Sequence, residues 1–314
     1  MTKIKVPLDS KLRLITYADE RGAPRLGLAR ADGHLVDIAK AAAQAKIPLG
    51  FDATSMLALI EAGPQALAEI REVAASDIHS GIRVEDVRLL PPIPKLTRNI
   101  YCVGWNYLEH FKEGAKDRDP AQKLPDHPVF FTKAVNTLNG PFDPIPYDAS
   151  ISREIDWEVE LAIVIGKRGK NIAEKEADEY IFGYTVLNDT SARDIQRTKH
   201  GGQWFKGKSL DGHAPIGPWI MPASELDRDN LRLILRVNGV VKQDGTTRDM
   251  YFKVPRIIAE LSRGMTLEPG DVIATGTPSG VGMGRTPPEF LKPGDVMETE
   301  IAEIGTLVNT IHAQ

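Results

Sequence analysis

The sequence predicts a β-rich α+β protein, on three observations. Apolar, β-branched runs are short and numerous, and most are bounded by Gly, Pro, Asn or Asp. Helical periodicity is confined to a few segments, so strands and helices do not alternate as they would in a doubly wound parallel sheet. Glycine (27) and proline (22) are plentiful enough to supply many turns. The chain of 314 residues, 42% hydrophobic, can build one large or two unequal domains.

The elements follow in chain order. Residues 12–38 read as a small meander, LRLITYA, RLGLARA and HLVDIA, split by ERGAP and ADG turns. Residues 38–78 read as helical, IAKAAAQAK and then MLALIEAGPQALAEIREVAAS, with a break at Gly63-Pro64. The proline-rich VRLLPPIPK (87–95) reads as a linker or edge segment. No chemical cluster occurs in this stretch, so residues 1–95 are expected to form a smaller, structural N-terminal α/β domain. Residues 96–314 form the second domain. There NIYCVG, VFFTKA and PIPYD are short strands, and WNYLEHFKEGAK is a short helix. IAEKEADEYI is helix-like. LRLILRVNGVVKQDG is a hairpin around Asn238-Gly239, the clearest turn signal in the chain. VPRIIAELSRG is a helix capped by Gly264, DVIATG is a strand, and DVMETEIAEIGTLVNTI is again strand-like.

Trp157 to Gly166, WEVELAIVIG, carries the strongest chemical signal. Side chains alternate along a strand, so Trp157, Val159, Leu161, Ile163 and Ile165 share one face. Glu158 and Glu160 share the other with Ala162 and Val164, the two glutamates roughly 7 Å apart. Two carboxylates on a buried strand repel and lose hydration unless they are protonated or meet a cation. The next apolar run, Ile181 to Asn188, delivers Asp189. An all-oxygen trio of Glu158, Glu160 and Asp189 suits Mg²⁺ or Mn²⁺, with Ca²⁺ admitted, and not zinc. An ExE pair that merely solvates a strand is the commoner arrangement; the apolar flanks on both faces put the two readings level.

Composition excludes several function classes. A net charge of −4 and a pI near 6.0 give no electrostatic case for nucleic acid or an anionic membrane. No apolar run is long enough to span a bilayer, and the first residues lack a signal-peptide pattern. The single cysteine, Cys102, fits a reducing compartment and reads as a small buried hydrophobe. A soluble, cytoplasmic protein is the expectation.

Other candidates are weaker. His110 and Glu113 share a helix face three residues apart and suit an orienter–base pair, although an ordinary surface contact outranks it on spacing alone. Lys208 is a candidate substrate or oxyanion contact among many solvated lysines. GTPSGVGMG offers glycines for close backbone approach to a ligand but lacks the lysine of a P-loop. Thr277 within it suits a carboxylate contact or a plain turn. Trp105, Trp157, Trp204 and Trp219 read mainly as core, with Trp105 and Trp204 next to candidate site segments.

These motifs occur together and in order. GWNYLEHFKEG, FFTKAVNTLNGP, DWEVELAIVIGK, GYTVLNDTSARDIQ, KGKSLDGHAPIGPWI, VNGVVKQDG and GDVIATGTPSGVG closely resemble the fumarylacetoacetate hydrolase family over residues 97–312, in particular its acylpyruvase-like and 2-hydroxyhepta-2,4-diene-1,7-dioate isomerase-like members. The resemblance implies a mixed β-roll catalytic domain and a homodimer built on it. It implies Mg²⁺ or Mn²⁺ held by Glu158, Glu160 and Asp189, a His110–Glu113 dyad, a site lysine at Lys208, and substrate contacts at Gln196 and Thr277. Trp105 and His200 depart from the family pattern. The implied activity is hydrolysis of a carbon–carbon bond in an acylpyruvate, a small 2-keto acid, with release of pyruvate. His110 would activate water, Lys208 would hold the oxyanion, and the charged loop 114–127 would close over the site. The alternative within the family is a decarboxylase, isomerase or hydratase of a related 2-keto dicarboxylic acid, of the oxaloacetate or homoprotocatechuate-pathway type, in aromatic-compound catabolism. A metal-stabilised binding protein without catalysis is the rival from another class.

Overall fold

The computed structural model describes residues 4, 6–7, 9–76, 78, 81–114 and 123–314. The meander is present as β1 (Leu14–Ala18), β2 (Pro24–Ala29) and β3 (Leu35–Asp37). Two helices follow, α1 (Ile38–Ala45) and α2 (Met56–Ala75). Asp37 caps α1 by accepting from Lys40 N–H, and Ser55 caps α2 by accepting from Ala58 N–H. The expected break in α2 falls at Gly63, whose φ of 70° leaves the helical region one residue before Pro64.

The second half begins with β4 (Ile100–Gly104), α3 (Leu108–Glu113), β5 (Val129–Lys133), β6 (Leu138–Asn139), β7 (Ile145–Tyr147) and β8 (Ile155–Asp156). It continues through β9 (Val159–Ile165), β10 (Ile181–Asn188), β11 (Ser191–Ala192), α4 (Arg193–Thr198), α5 (Phe205–Lys208) and β12 (Ala214–Pro222). The last elements are β13 (Arg232–Val237), β14 (Val240–Thr246), α6 (Val254–Ser262), β15 (Val272–Ala274), β16 (Val296–Ile301) and β17 (Gly305–Ala313). Asn238 (φ 52°) and Gly239 (φ 76°) make the hairpin turn between β13 and β14, both in the left-handed region that such two-residue turns require. The acidic segment expected to be helix-like forms a 3₁₀ helix over Glu174–Tyr180, in which only Ala177 is buried and no apolar stripe holds an α-helix in place.

Two sheets result. The larger has strand order β3-β2-β1-β12-β10-β9-β15-β4-β5, with β6 joined to β12; the smaller runs β14-β13-β16-β17-β7. Most pairs are antiparallel; β15–β4, β12–β6 and β17–β7 are parallel. This is the β-rich α+β class that the sequence predicts.

β9 explains the layering. Its face of Val159, Leu161, Ile163 and Ile165, with Trp157, packs in a core that includes Leu233, Leu235, Met297 and Leu307 of the smaller sheet. Ala162 and Val164 point the other way, into a core shared with Leu59, Ile60 and Ile70 of α2. At about 25 cal/mol per Å² of apolar surface, this burial on both faces anchors β9 firmly in the fold. The leading segment is part of the same body. β1 pairs with β12 at Leu14–Ile220, and β1 to β3 extend the larger sheet. The proline-rich segment lies along β1 as an edge: Leu90 N–H donates to Thr16 O, and Thr16 Oγ1 donates to Pro92 O at 2.6 Å. No helix among the described residues is long and apolar enough to cross a membrane.

His213 ties the two sheets together. It precedes β12 and donates from Nε2 to the Pro146 carbonyl of β7, 2.9 Å away. Burial pushes its imidazole down to about 4, so the folded protein holds it neutral where the unfolded chain titrates normally. The unfolded state therefore binds more protons between those two values, and stability falls as pH drops through that window. The contribution lost by pH 5 is about 2 kcal/mol. His213→Asn should flatten the difference in unfolding free energy between pH 7 and pH 5 relative to wild type, measured by urea titration at each pH.

Candidate active site

The alternation on β9 sets the site. Glu158 and Glu160 leave the same face as Ala162 and Val164, beyond the edge of the apolar core. β10 pairs with β9 at Asn188–Val159 and Leu187–Glu160, and this register brings Asp189 alongside the glutamates. One oxygen from each of the three carboxylates lies within 4.8 Å of the others, and all three residues are buried.

Cations surround this cluster. Lys208 Nζ donates to Glu158 Oε2 at 2.7 Å and to Asp189 Oδ2 at 2.6 Å. Lys133 Nζ donates to the Thr190 carbonyl at 3.0 Å and lies 2.8 Å from Asp189 Oδ1. Arg193 Nη2 donates to Glu158 Oε1 at 2.7 Å, and its Nε donates to Asp156 Oδ2 at 2.8 Å. Burial works to raise the Glu158 carboxyl, but Lys208 and Arg193 outweigh it and hold it below the usual range. Burial likewise opposes the charge of Lys208, which Asp189 and Glu158 keep protonated. Glu160 goes the other way. Burial, then the neighbouring charges of Asp189 and Glu158, push it well above its ordinary value. Its Oε2 accepts from Gly276 N–H at 2.6 Å, a backbone position with φ of 97°.

The residues present fit a hard divalent cation. Four carboxylates, Asp156 included, face three cationic side chains, so the fully ionised cluster carries one excess negative charge. Asp189 Oδ1 is buried and accepts no well-directed hydrogen bond. A divalent ion would satisfy both, and the donor set is all oxygen.

The remaining candidates converge on one cavity of about 250 Å³. It is lined by His110, Glu113, Glu158, Glu160, Gln196, Thr277 and Lys208, among others. His110 Nδ1 lies 2.7 Å from Glu113 Oε1, a dyad with both side chains largely covered. Asn106 places α3 by donating to the Phe252 and Thr275 carbonyls and accepting from Phe252 N–H. Gln196 Oε1 accepts from Arg193 Nη1 at 3.0 Å, which leaves its amide N–H groups to donate. Thr277 Oγ1 accepts from Gln243 Nε2 at 2.8 Å and keeps its own hydrogen. Gly207 lets α5 touch α4: a Cβ there would lie 2.6 Å from Gln196 N. Trp105, Trp204 and Phe131 form an edge-to-face wall with centroid spacings of 5.0 and 5.2 Å. Trp157 and Trp219 are core. Cys102 is fully buried, and burial raises its thiol further, in keeping with a small apolar filler. His200 is exposed and is not among the cavity-lining residues. The segment 115–122, the centre of the loop expected to close over the site, lies outside the described residues.

Sequence reading missed Lys133, Arg193 and Asp156. For Asp156 a signal exists: in DWEVE, positions 156, 158 and 160 share parity and hence a face. For Arg193 the hint is its spacing of three from Gln196 in SARDIQ. Lys133 has none, because a lysine ending a strand is ordinarily solvated. The glycine loop, read as an approach to a ligand, lines the cavity with Thr277, Val281, Met283 and Gly284 and also approaches the dyad: Gly280 N–H donates to Glu113 Oε2 at 2.8 Å. Glu160 costs the metal-free protein desolvation and repulsion, so Glu160→Gln should leave thermal stability without metal equal to wild type or higher. It should also abolish the rise in melting temperature on adding Mn²⁺, both read by differential scanning calorimetry.

Comparison with known proteins identifies the family. The fumarylacetoacetate (FAA) hydrolase C-terminal family model matches residues 99–312. The chain is 45% identical over 229 residues to the oxaloacetate tautomerase YisK of Bacillus subtilis, covering 73% of this chain and 74% of that protein. It is 39% identical over 303 residues to the mitochondrial oxaloacetate tautomerase fahd2 of Xenopus laevis, covering 96% and 90%. Among solved structures it is similar to maleylpyruvate hydrolase from Sphingobium sp. SYK-6, solved with manganese(II) and pyruvate, at a TM-score of 0.74 and 29% identity over 96% of this chain and 99% of that one. The ordered motifs, the two-sheet fold and the matched span together place the chain in the fumarylacetoacetate hydrolase family.

Proposed function

We propose that this protein interconverts the keto and enol forms of a 2-oxo dicarboxylic acid, with oxaloacetate as the first substrate to test. The observation that carries the reading is one acid–base dyad, His110–Glu113, opening on the same cavity as the acidic trio. Tautomerisation needs one proton moved between a carbon and an oxygen, and a single positioned imidazole is sufficient for that. The tautomerase names of the two relatives support it.

The chain's residues divide the work. Glu158, Glu160 and Asp189 would hold a divalent cation, which when bound supplies Lewis-acid polarisation of a 2-oxo acid and so acidifies the adjacent C–H. Glu113 accepts from His110 Nδ1–H, which fixes the tautomer whose Nε2 carries the lone pair. Nε2 takes a proton from C3 of the ketone. The C–H electron pair becomes the C2–C3 double bond, the carbonyl π pair moves to O2, and Nε2 returns the proton to O2. Gln196 and Thr277 donate to the substrate's carboxylate, and the Trp105–Trp204 wall keeps bulk water from the reacting carbon.

Hydrolysis of an acylpyruvate, the main expectation from sequence, has less support. It calls on Lys208 to hold an oxyanion, and that ammonium is engaged by Glu158 and Asp189. The similarity to maleylpyruvate hydrolase keeps it as the second reading. The two separate in one assay: decay of enol-oxaloacetate absorbance against pyruvate released from acetylpyruvate or maleylpyruvate. Faster pyruvate release than tautomerisation would overturn the proposal. His110→Ala should slow tautomerisation by about 10²- to 10⁴-fold while Mn²⁺ binding, followed by electron paramagnetic resonance, is retained.

A further inference from the structure

Glu113 is held by more than its histidine. Its Oε2 accepts from Gly280 N–H at 2.8 Å, and a Cβ on Gly284 would lie 2.9 Å from the same oxygen. The glycine segment 280–284 is fixed in turn by Asp156, the last residue of β8, and by Trp157 next to it. Trp157 Nε1 donates to the Gly280 carbonyl at 3.1 Å. Asp156 Oδ1 accepts from Gly282 N–H at 2.6 Å, and its Oδ2 accepts from Met283 N–H at 3.1 Å. That same Oδ2 receives Arg193 Nε at 2.8 Å, and Arg193 Nη2 donates to Glu158. Charge-assisted hydrogen bonds therefore link Glu158 through Arg193 and Asp156 to the glycine segment, and the backbone from Gly282 to Gly280 carries the link on to Glu113. All of Asp156, Glu158 and Arg193 are buried, so these bonds are short and little screened.

We propose that residues 280–284 are a latch that sets the His110–Glu113 dyad in register with the acidic cluster, and that Asp156 is the positioning residue that passes the placement of Glu158 on to Glu113. Asp156 does not line the cavity; it acts through the two glycine-segment amides and one guanidinium. The segment needs its glycines for this. At Gly282 a Cβ would sit 1.9 Å from the Glu289 carbonyl, and at Gly284 it would push the Glu113 carboxylate aside. The inference rests on the dyad acting as the acid–base group, as proposed above.

Gly284→Ala is the decisive variant, because the atom its methyl meets is the movable end of a side chain. The tautomer of His110 is read from imidazole ¹⁵N shifts in the metal-free protein, at a pH where the ring is neutral. Wild type should show the proton on Nδ1; Gly284→Ala should move it toward Nε2. The same variant should lose about a hundredfold in kcat, with KM and Mn²⁺ affinity changed by less than about threefold. Asp156→Asn should reproduce the tautomer change; should it fail to fold, Gly284→Ala decides alone. An unchanged His110 tautomer in Gly284→Ala overturns the latch, as does a loss of Mn²⁺ affinity parallel to the loss of kcat. A shifted tautomer in a protein that lacks tautomerase activity even as wild type upholds the latch and removes the proposed reaction instead.

Discussion

Repulsion among buried carboxylates is the constraint that the rest of the site answers. Two unit charges 4.8 Å apart oppose each other by about 3 kcal/mol at an effective dielectric constant of about 20. Three such groups sit on adjacent strands with no bulk water to disperse the charge. Lys133, Lys208 and Arg193 offset part of it, each drawn from a different element, β5, α5 and α4. The burial of these cations is itself unfavourable unless they stay paired. Acids and bases thus hold one another in place, and the site is costly enough that folding alone would not favour it. The all-oxygen geometry fits a hard divalent cation.

The same cluster organises distant backbone. Asp156 and Glu160 each accept from loop amides, at Gly282 and Gly276, so the loops after β15 are shaped around anionic oxygen. Peptide N–H groups so used do not need a helix or sheet ladder, and the glycine content of GTPSGVGMG follows from how closely those amides approach. A segment that lines the cavity is thus also packed against protein carboxylates. Chemistry and scaffold are therefore hard to separate here: the hydrogen bonds that steady the loop also place the dyad.

Much of this was legible from residues. The alternation in WEVELAIVIG specified both cores on β9 and the shared face of Glu158 and Glu160, because a strand's period is fixed by its geometry. The end of the next apolar run offered Asp189, and the spacing of three put His110 and Glu113 on one helix face, with the family resemblance needed to favour the dyad over a surface contact. What sequence withheld was the compensation. Lys133 lies 56 residues before Asp189 in the chain, and nothing local distinguishes it from a solvated lysine. Arg193 and Asp156 meet only because β8 and β11 pair, at Ser191–Asp156. Long-range pairing also joins the leading segment to the larger sheet: its meander is read from local turns, and the pairing of β1 with β12 has no local signal.

That commitment has a consequence for the molecule as a whole. β12 is nine residues of wholly buried strand, and β1 lies along one of its flanks. Without the first ninety or so residues, the backbone around Ile220 would stand open, beside apolar side chains stripped of α2. Such a margin invites strands from other molecules. The leading segment is in this sense a stopper: it moves the margin of the sheet from the nine-residue β12 to the three-residue β3, which offers a visitor far less backbone.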